Sequence, residues 1–237
     1  MILSRIFRHP IKAHGREELA SVLLSEGACL PFDRHWAVAH EAAKLTEGWN
    51  RCANFSRGAK APALMAITCR LDESSRTITL HHPNRPDLTF RPDDDPARFQ
   101  DWVRPLMPED RAQSARIVSA GRGMTDSEFP SVSILSLSSL ADLSAKMGTD
   151  LSIHRWRGNL WLDGLEPWAE WDMIGQEIVI GDAVLRIEER ITRCRATMAN
   201  PETGQIDADT LKGLSDHFGH RDFGVYATVI RGGRIAV

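Results

Sequence analysis

Short β-like runs rich in apolar residues dominate the chain from Met1 to about Arg91. Clusters of turn residues separate these runs, a pattern typical of β-strands joined by tight connections. We therefore expect strands at 21–24, 36–39, 63–68 and 77–80.

The pattern changes near Asp95. This residue can cap a helix, and Pro96 suits the first helical position because its missing N–H needs no partner there. Phe99, Trp102 and Val103 then recur at helical spacing. The polar stretch 106–123 is interpreted as a connection that contains one short strand at 116–118. We predict a first domain over residues 1–105 and a second over residues 106–237.

The second domain mixes strands with single helices. Strands are expected at 131–135, 159–162, 177–180, 181–189 and 226–230, with Gly181 and Asp182 at a hairpin turn. One helix should run from Ser138 until Gly148 ends it, and another should run from a cap at Asp207 to about Phe218. This order predicts an α+β, β-rich fold with barrel-like sheets rather than a βαβ repeat.

The composition of the chain excludes some classes of function. The 237 residues carry 29 Lys and Arg against 32 Asp and Glu, so the net charge of −3 argues against general nucleic-acid binding. No apolar stretch is long enough for a membrane span, and the chain does not start like a signal peptide. We therefore expect no membrane partner and a cytoplasmic protein with four free thiols, of which Cys29, Cys52 and Cys69 are inert and buried.

Cys194 is the fourth thiol, and it is flanked by Arg193 and Arg195. Neighbouring guanidinium groups should favour its thiolate form. A thiolate is both a nucleophile and a soft metal ligand, so two chemical roles stay open for this residue. A zinc site with His217 and His220 has little support, because the expected ligand spacing is missing.

Several other segments offer positive charge. Arg155 and Arg157 would project to the same side of an extended segment, and Asn159 adds a donor and an acceptor, so this segment is either an anion clamp or a solvated strand. Lys12 is a possible phosphate contact, although an isolated Lys is usually solvated. Arg34 is unusual at the start of an apolar strand, although an Asp-Arg pair there can be merely structural. The basic loop 55–60 lacks the spacing of a P-loop. Trp168 and Trp171 are better explained as packing residues than as part of a cofactor-binding motif.

Together these segments resemble the MOSC domain proteins, and their two-part layout is similar to the mitochondrial amidoxime-reducing component and its bacterial relatives. The resemblance covers nearly the whole chain, and its fragments occur in the family's order. They are His9-Pro10-Ile11-Lys12, Asp33-Arg34-His35-Trp36, Ser56-Arg57, 129–143, 155–159, Pro167-Trp168-Ala169-Glu170, Ile180-Gly181-Asp182, Thr192-Arg193-Cys194 and Pro201-Glu202-Thr203-Gly204. The resemblance implies an N-terminal barrel-like β unit (MOSC-N) packed on a MOSC β-barrel domain with a few helices.

The same resemblance implies a molybdenum cofactor. Cys194 would be the catalytic residue and the thiolate ligand to molybdenum. Ala13 stands where the family usually has Ser, so one hydroxyl contact to the phosphate is missing. The remaining cofactor-binding positions would be Lys12, Ala13, Arg34, Ser131, Arg157, Asn159, Thr192 and Arg193.

The activity that the resemblance implies is a molybdenum-dependent oxidoreductase. It would reduce N-hydroxylated small molecules such as amidoximes, hydroxylamines or N-hydroxylated bases. The chain contains neither a dinucleotide fingerprint nor a cysteine cluster for iron–sulfur, so separate proteins should donate the electrons. Two alternatives stay open: a sulfur carrier or sulfurtransferase that uses a Cys194 persulfide, and a noncatalytic molybdopterin carrier.

Overall fold

The computed structural model describes residues 1–237 and has fourteen strands. In the first half these are β1 (Ile2–Arg8), β2 (Glu17–Leu19), β3 (Ser21–Leu24), β4 (Trp36–His40), β5 (Thr68–Asp72), β6 (Thr77–His82), β7 (Arg85–Phe90) and β8 (Ser114–Ser119). In the second half they are β9 (Val132–Ser136), β10 (Leu160–Asp163), β11 (Glu177–Ile180), β12 (Ala183–Thr192), β13 (Asp222–Arg231) and β14 (Gly233–Ala236). Three α-helices complete the regular structure: α1 (Pro96–Val103), α2 (Leu137–Met147) and α3 (Thr210–Phe218). The predicted α+β, β-rich class is confirmed.

The largest sheet has seven strands in the order β11-β12-β13-β9-β10-β1-β2. Only the β9–β10 pair is parallel, with α2 in the connection between the two strands. The pairs β1–β10, β9–β13 and β12–β13 are antiparallel. One core of seventeen buried residues, including Ile6, Ile134 and Leu160, lies against this sheet.

The remaining strands form three small sheets. β5, β6 and β7 make an antiparallel sheet, β4 pairs with β8, and β3 pairs with β14. A second core of seventeen residues packs around β4 and the β5–β7 sheet, with Trp36, Phe99 and Trp102 among its largest members, whereas the β3–β14 sheet contributes to the first core. The third core, of ten residues, packs α2 and α3 around Trp161 and Phe223.

Strand pairing crosses the predicted domain boundary in both directions. β1 and β2, from the first domain of the prediction, belong to the seven-stranded sheet. β8, from residues beyond 106, pairs with β4 in register from Trp36↔Ser119 to His40↔Ser114. The division into 1–105 and 106–237 stays a prediction.

Three local predictions need correction. Residues 63–68 do not form one strand, because Pro62 begins a 3-10 helix (Pro62–Ala66) and β5 starts only after it. Asp209, not Asp207, caps α3 by accepting from the Lys212 N–H at 3.0 Å, whereas Asp207 pairs with Arg155. Asp95 does stand at the start of α1, but its side chain accepts no capping hydrogen bond.

None of the helices is long and apolar enough to cross a lipid bilayer.

Candidate functional site

A cavity of about 280 Å³ lies where segments from both ends of the chain meet. All nine residues singled out in the sequence line it. Lys12 and Ala13 follow β1, Arg34 precedes β4, Ser131 precedes β9, and Arg157 and Asn159 precede β10. Thr192, Arg193 and Cys194 come from the end of β12. The fold therefore gathers the predicted residues into one pocket, whereas their roles toward a cofactor stay predictions.

Three pocket residues have a backbone conformation that L-residues rarely adopt. Ala13, Arg34 and Arg157 have φ angles of 65°, 49° and 49°. The left-handed region costs a non-glycine residue on the order of 1 kcal/mol, and such residues concentrate at functional sites.

Asp33 holds Arg34 in place. The carboxylate is fully buried, pairs with the Arg34 guanidinium and accepts the His9 main-chain N–H at 2.8 Å. His9 Nδ1 also lies 3.3 Å from Asp33 Oδ1. Burial alone would raise the pKa of Asp33, but the charge of Arg34 and the hydrogen bond from His9 hold it well below its usual range. The Asp-Arg pair is thus structural, and it fixes Arg34 at the cavity wall.

Asn159 is a buried junction between three strands. Its Nδ2 donates to the Phe7 carbonyl at 3.2 Å, and its Oδ1 accepts from the Ser133 N–H at 3.1 Å and the Ser133 hydroxyl at 2.8 Å. Arg34 Nη1 lies 3.5 Å from the same oxygen. Since only 1% of the residue is exposed, its main contribution is to connect β9 and the segment before β10 to β1.

The Arg193 side chain is also held by hydrogen bonds within the protein. Its guanidinium donates to the carbonyls of Trp156 and Phe223 at 2.5–2.8 Å and lies over both aromatic rings. Burial lowers its pKa to about 10, so it remains a cation at neutral pH. The side chain stabilises the loop that carries Cys194 and contributes positive potential to the cavity.

Arg157 differs because no carboxylate pairs with it. Its Nη2 donates to the Gly15 carbonyl at 3.1 Å, and no salt bridge forms. Burial, with repulsion from Arg34, lowers its pKa to about 9. A bound anion would offset both the cost of burying the Arg157 charge and its repulsion from Arg34. Next to it, Gly158 allows close packing, because a Cβ there would come within 2.2 Å of Leu135 Cδ1.

The Cys194 side chain is exposed at the cavity wall. Its main chain begins a 3-10 helix (Arg195–Met198), and its carbonyl accepts from the Thr197 hydroxyl at 3.1 Å. Thr192 Oγ1 donates to Asp222 at 2.6 Å and ties the end of β12 to β13. The thiol is thus presented by an anchored turn and is open to a ligand.

The expectation of three inert, buried thiols is correct for Cys29 and Cys69. Burial raises the pKa of both thiols. It is wrong for Cys52, which is only partly buried and lines the same cavity as Cys194. Arg57 donates to the Cys52 sulfur at 3.2 Å. No feature of the residues around Cys52 in the sequence distinguishes it from the other two thiols.

Sequence reasoning missed Asp126 and Tyr226, which also line the cavity. Asp126 pairs with Lys12 at 2.5 Å. Burial, followed by the nearby Asp126 charge, raises the pKa of Tyr226 to about 12. A single Asp in a polar connection and a single Tyr in a strand carry no motif. Arg57, from the basic loop considered in the sequence, does reach the cavity.

Trp168 and Trp171 pack as expected, with ring centroids 4.8 Å apart. His220 lies against Trp171 at 4.6 Å. No three His, Cys, Asp or Glu side chains anywhere in the molecule are arranged to hold a metal ion.

Comparison with known protein families shows to which family this chain belongs. The description "MOSC N-terminal beta barrel domain" matches residues 1–135, more than half of the chain, and "MOSC domain" matches residues 124–237. The chain belongs to the MOSC family. Both the predicted family and the predicted N-terminal barrel-like unit are confirmed.

The curated relatives of this MOSC protein include two mitochondrial amidoxime-reducing components and a molybdenum cofactor sulfurase. It is 31% identical to human mitochondrial amidoxime-reducing component 1 over 108 residues, which cover 45% of this chain and 30% of the relative. It is 36% identical to bovine mitochondrial amidoxime reducing component 2 over 78 residues, 32% of this chain and 22% of the relative. It is 32% identical to the molybdenum cofactor sulfurase of Anopheles gambiae over 81 residues, 34% of this chain and 10% of the relative. The matched segments thus span less than a third of each relative.

Two solved structures are similar to this MOSC protein. The YuaD protein from Bacillus subtilis aligns over 99% of this chain and 90% of its own, with 12% identity and a TM-score of 0.46. YiiM from Geobacillus stearothermophilus aligns over 44% of this chain and 49% of its own, with 17% identity and a TM-score of 0.35.

Proposed function

We propose that this MOSC protein is a molybdenum-cofactor-dependent reductase of N-hydroxylated small molecules such as amidoximes, hydroxylamines and N-hydroxylated bases. The observation that carries the proposal is the exposed Cys194 thiol at the wall of a cavity lined by Lys12, Arg34, Arg157 and Arg193. A thiolate suits a soft metal, and the surrounding cations suit a phosphorylated group. The similarity to two amidoxime-reducing components supports the choice of substrate class.

The residues present fit such a cofactor. A phosphate monoester carries about −1.5 to −2 charges at neutral pH, and Arg157 is a partly buried cation without a carboxylate partner. Arg157 and Arg34 would bind this phosphate, and Lys12 lies on the same wall. Ala13 can offer only its main-chain groups there. Ser131 and Asn159 would act mainly by holding the surrounding loops, since their side chains bond to Ser127 and Ser133.

The cofactor would supply the two-electron chemistry that removes oxygen from the substrate, and the protein would supply its ligand, charge and pocket. Cys194 would hold the metal from an anchored turn. Thr192 and Arg193 fix that turn through Asp222 and Phe223. Electrons would come from separate donor proteins. A cytoplasmic location, without nucleic-acid or membrane partners, stays a prediction from composition.

The test is elemental and pterin analysis of protein made in a host that synthesises the cofactor. We expect one molybdenum and one pterin per chain, and reduction of a benzamidoxime-like substrate when a reduced donor is supplied. The runner-up is sulfur transfer, which the similarity to a molybdenum cofactor sulfurase favours. A persulfide on Cys194 in protein that takes up no molybdenum would decide for it. Cofactor that passes to another apo-enzyme, without turnover here, would instead indicate a carrier.

A further inference from the structure

Lys12 is already paired inside the cavity. Its Nζ donates to Asp126 Oδ1 at 2.5 Å and to the Met124 carbonyl at 2.7 Å. Only 8% of the lysine side chain is exposed, so it has little freedom to turn toward another partner. A carboxylate of this protein therefore occupies the contact that a phosphate oxygen would make with Lys12.

The Asp126 carboxylate sits among the cavity's cations. Partial loss of hydration acts to raise the pKa of Asp126, but the charges of Lys12, Arg34 and Arg193 outweigh it and keep the pKa below its usual value. All three cations belong to the predicted cofactor-binding set. A carboxylate and a phosphate placed among the same cations compete, because each is attracted by them and repelled by the other.

The segment around Asp126 is held by other contacts. Arg122 donates to the main-chain carbonyls of Gly123, Ser127, Glu128 and Phe129 at 2.9–3.2 Å. Trp49 Nε1 donates to the Thr125 carbonyl at 2.9 Å. Because 60% of the Asp126 side chain is exposed, the carboxylate can rotate away while its backbone stays in place.

We propose that the Asp126 carboxylate competes with a bound anion for the cavity's cations. It lies against Lys12 when the cavity is empty, and it gives up that contact to a phosphate when one binds. The inference rests on the proposed function, since it takes the anion to be the phosphate of the cofactor. Asp126 sets how tightly the cavity holds a phosphate, and so acts on affinity rather than on the reducing chemistry.

Inorganic phosphate is the probe, titrated into the full cofactor-free chain by calorimetry at low salt. Asp126→Asn keeps the side-chain shape and removes the charge, and we expect phosphate to bind about ten- to a hundred-fold more tightly than to the wild type. Asp126→Ser, which removes the carboxylate with a different side chain, should also tighten binding. Glu128→Gln removes the same charge from a side chain that is 72% exposed and should change the affinity less than about twofold.

A double-mutant cycle with Lys12→Met tests whether Lys12 is the shared contact. The gain in phosphate affinity from Asp126→Asn should be smaller in the Lys12→Met background, because the contact for which Asp126 competes is then absent. Weaker, equal or undetectable phosphate binding by Asp126→Asn overturns the inference, as does an equal gain in both Lys12 backgrounds. Thermal unfolding of each variant confirms that it is folded. Molybdenum content and turnover are measured separately, so that a failure of this inference is distinguished from a failure of the proposed function.

Discussion

Arg34 Nη2 donates to the main-chain carbonyl of Arg157 at 2.7 Å. The two residues lie 123 positions apart, and both have left-handed backbone conformations at the cavity. One guanidinium thus fixes the loop that carries the other. The positive charge of the cavity is consequently arranged before any ligand binds, which lowers the cost of binding an anion.

Replacing Cys194 by Ser should abolish molybdenum ligation and reductase activity. A hydroxyl is a harder and far less acidic donor than a thiolate, so it cannot replace a soft ligand. Elemental analysis and turnover of the same preparation check this. Cys29→Ser and Cys69→Ser should affect stability only, since both side chains are buried away from the cavity. Full activity in Cys194→Ser would end the leading hypothesis.

Reversing the charge of Arg157, Arg34 or Lys12 should weaken retention of the pterin. Losing one charge-assisted contact costs about 1.5–3 kcal/mol, roughly ten- to a hundred-fold in affinity, and a reversed charge costs more. We expect the largest effect for Arg157→Glu, because that cation has no carboxylate partner in the protein. Pterin content per chain is the measurement. Lys44→Glu, at an exposed position, is the control, and equal content in all four variants would contradict the prediction.

Asn159→Ala should destabilise the fold. It leaves the Phe7 carbonyl and the Ser133 N–H, both inside the protein, without their partner. We expect the free energy of unfolding to fall by about 2–4 kcal/mol, measured by denaturant titration. Asn84→Ala, at an exposed turn, should stay within about 0.5 kcal/mol of the wild type. A small effect at Asn159 would mean that water satisfies the freed groups.

Stability should fall at acid pH because of His14. Burial lowers its pKa to about 4, whereas an unfolded histidine titrates near 6.5. The unfolded state therefore binds more protons between these values, so stability is present above pH ~6.5 and is lost as the pH falls toward 4. The loss from His14 alone is roughly 3 kcal/mol.

His14→Asn isolates this contribution. Its amide can still donate to the Lys12 carbonyl, which His14 Nδ1 contacts at 2.7 Å, but it does not titrate. Unfolding free energy measured from pH 7 to pH 4 should therefore decline less steeply in His14→Asn than in the wild type. His217→Asn removes an exposed histidine and should leave the slope unchanged. Identical slopes in all three proteins would show that His14 is solvated.

Local patterns predicted much of the fold but not the way its parts combine. Strand and helix periodicities place β3, β6, α2 and the β11–β12 hairpin correctly, since each depends on neighbouring residues. The structural role of Asn159 depends on Ser133 and Phe7, which lie 26 and 152 positions away. The pairing of β8 with β4, and of β14 with β3, is equally non-local.

Local sequence patterns were equally limited in predicting the candidate site. Motif order could single out Lys12, Arg157 and Cys194, because each stands in a recognisable segment. Asp126 could not be found, because a lone Asp in a polar connection is usually solvated. Its importance comes from the cations that the fold brings around it. Cys52 was misjudged for the same reason, since burial of a thiol depends on packing that its neighbours in sequence do not report.

The electrons for the proposed reduction should come from outside this chain. The sequence contains no G-x-G-x-x-G that follows a strand, and its four cysteines do not cluster. Molybdenum-loaded protein should therefore give no product from a benzamidoxime-like substrate with NADH or NADPH alone. A reduced low-potential donor, either a small chemical reductant or an electron-transfer protein pair, should start turnover, because each oxygen removed requires two electrons. Cys194→Ala protein, prepared in the same way and assayed with the same donor, is the control for direct chemical reduction of the substrate. Turnover with NADH alone, in a preparation shown free of other reductases, would mean that a redox site has been missed. No turnover with any donor at full molybdenum occupancy would favour sulfur transfer or cofactor carriage instead.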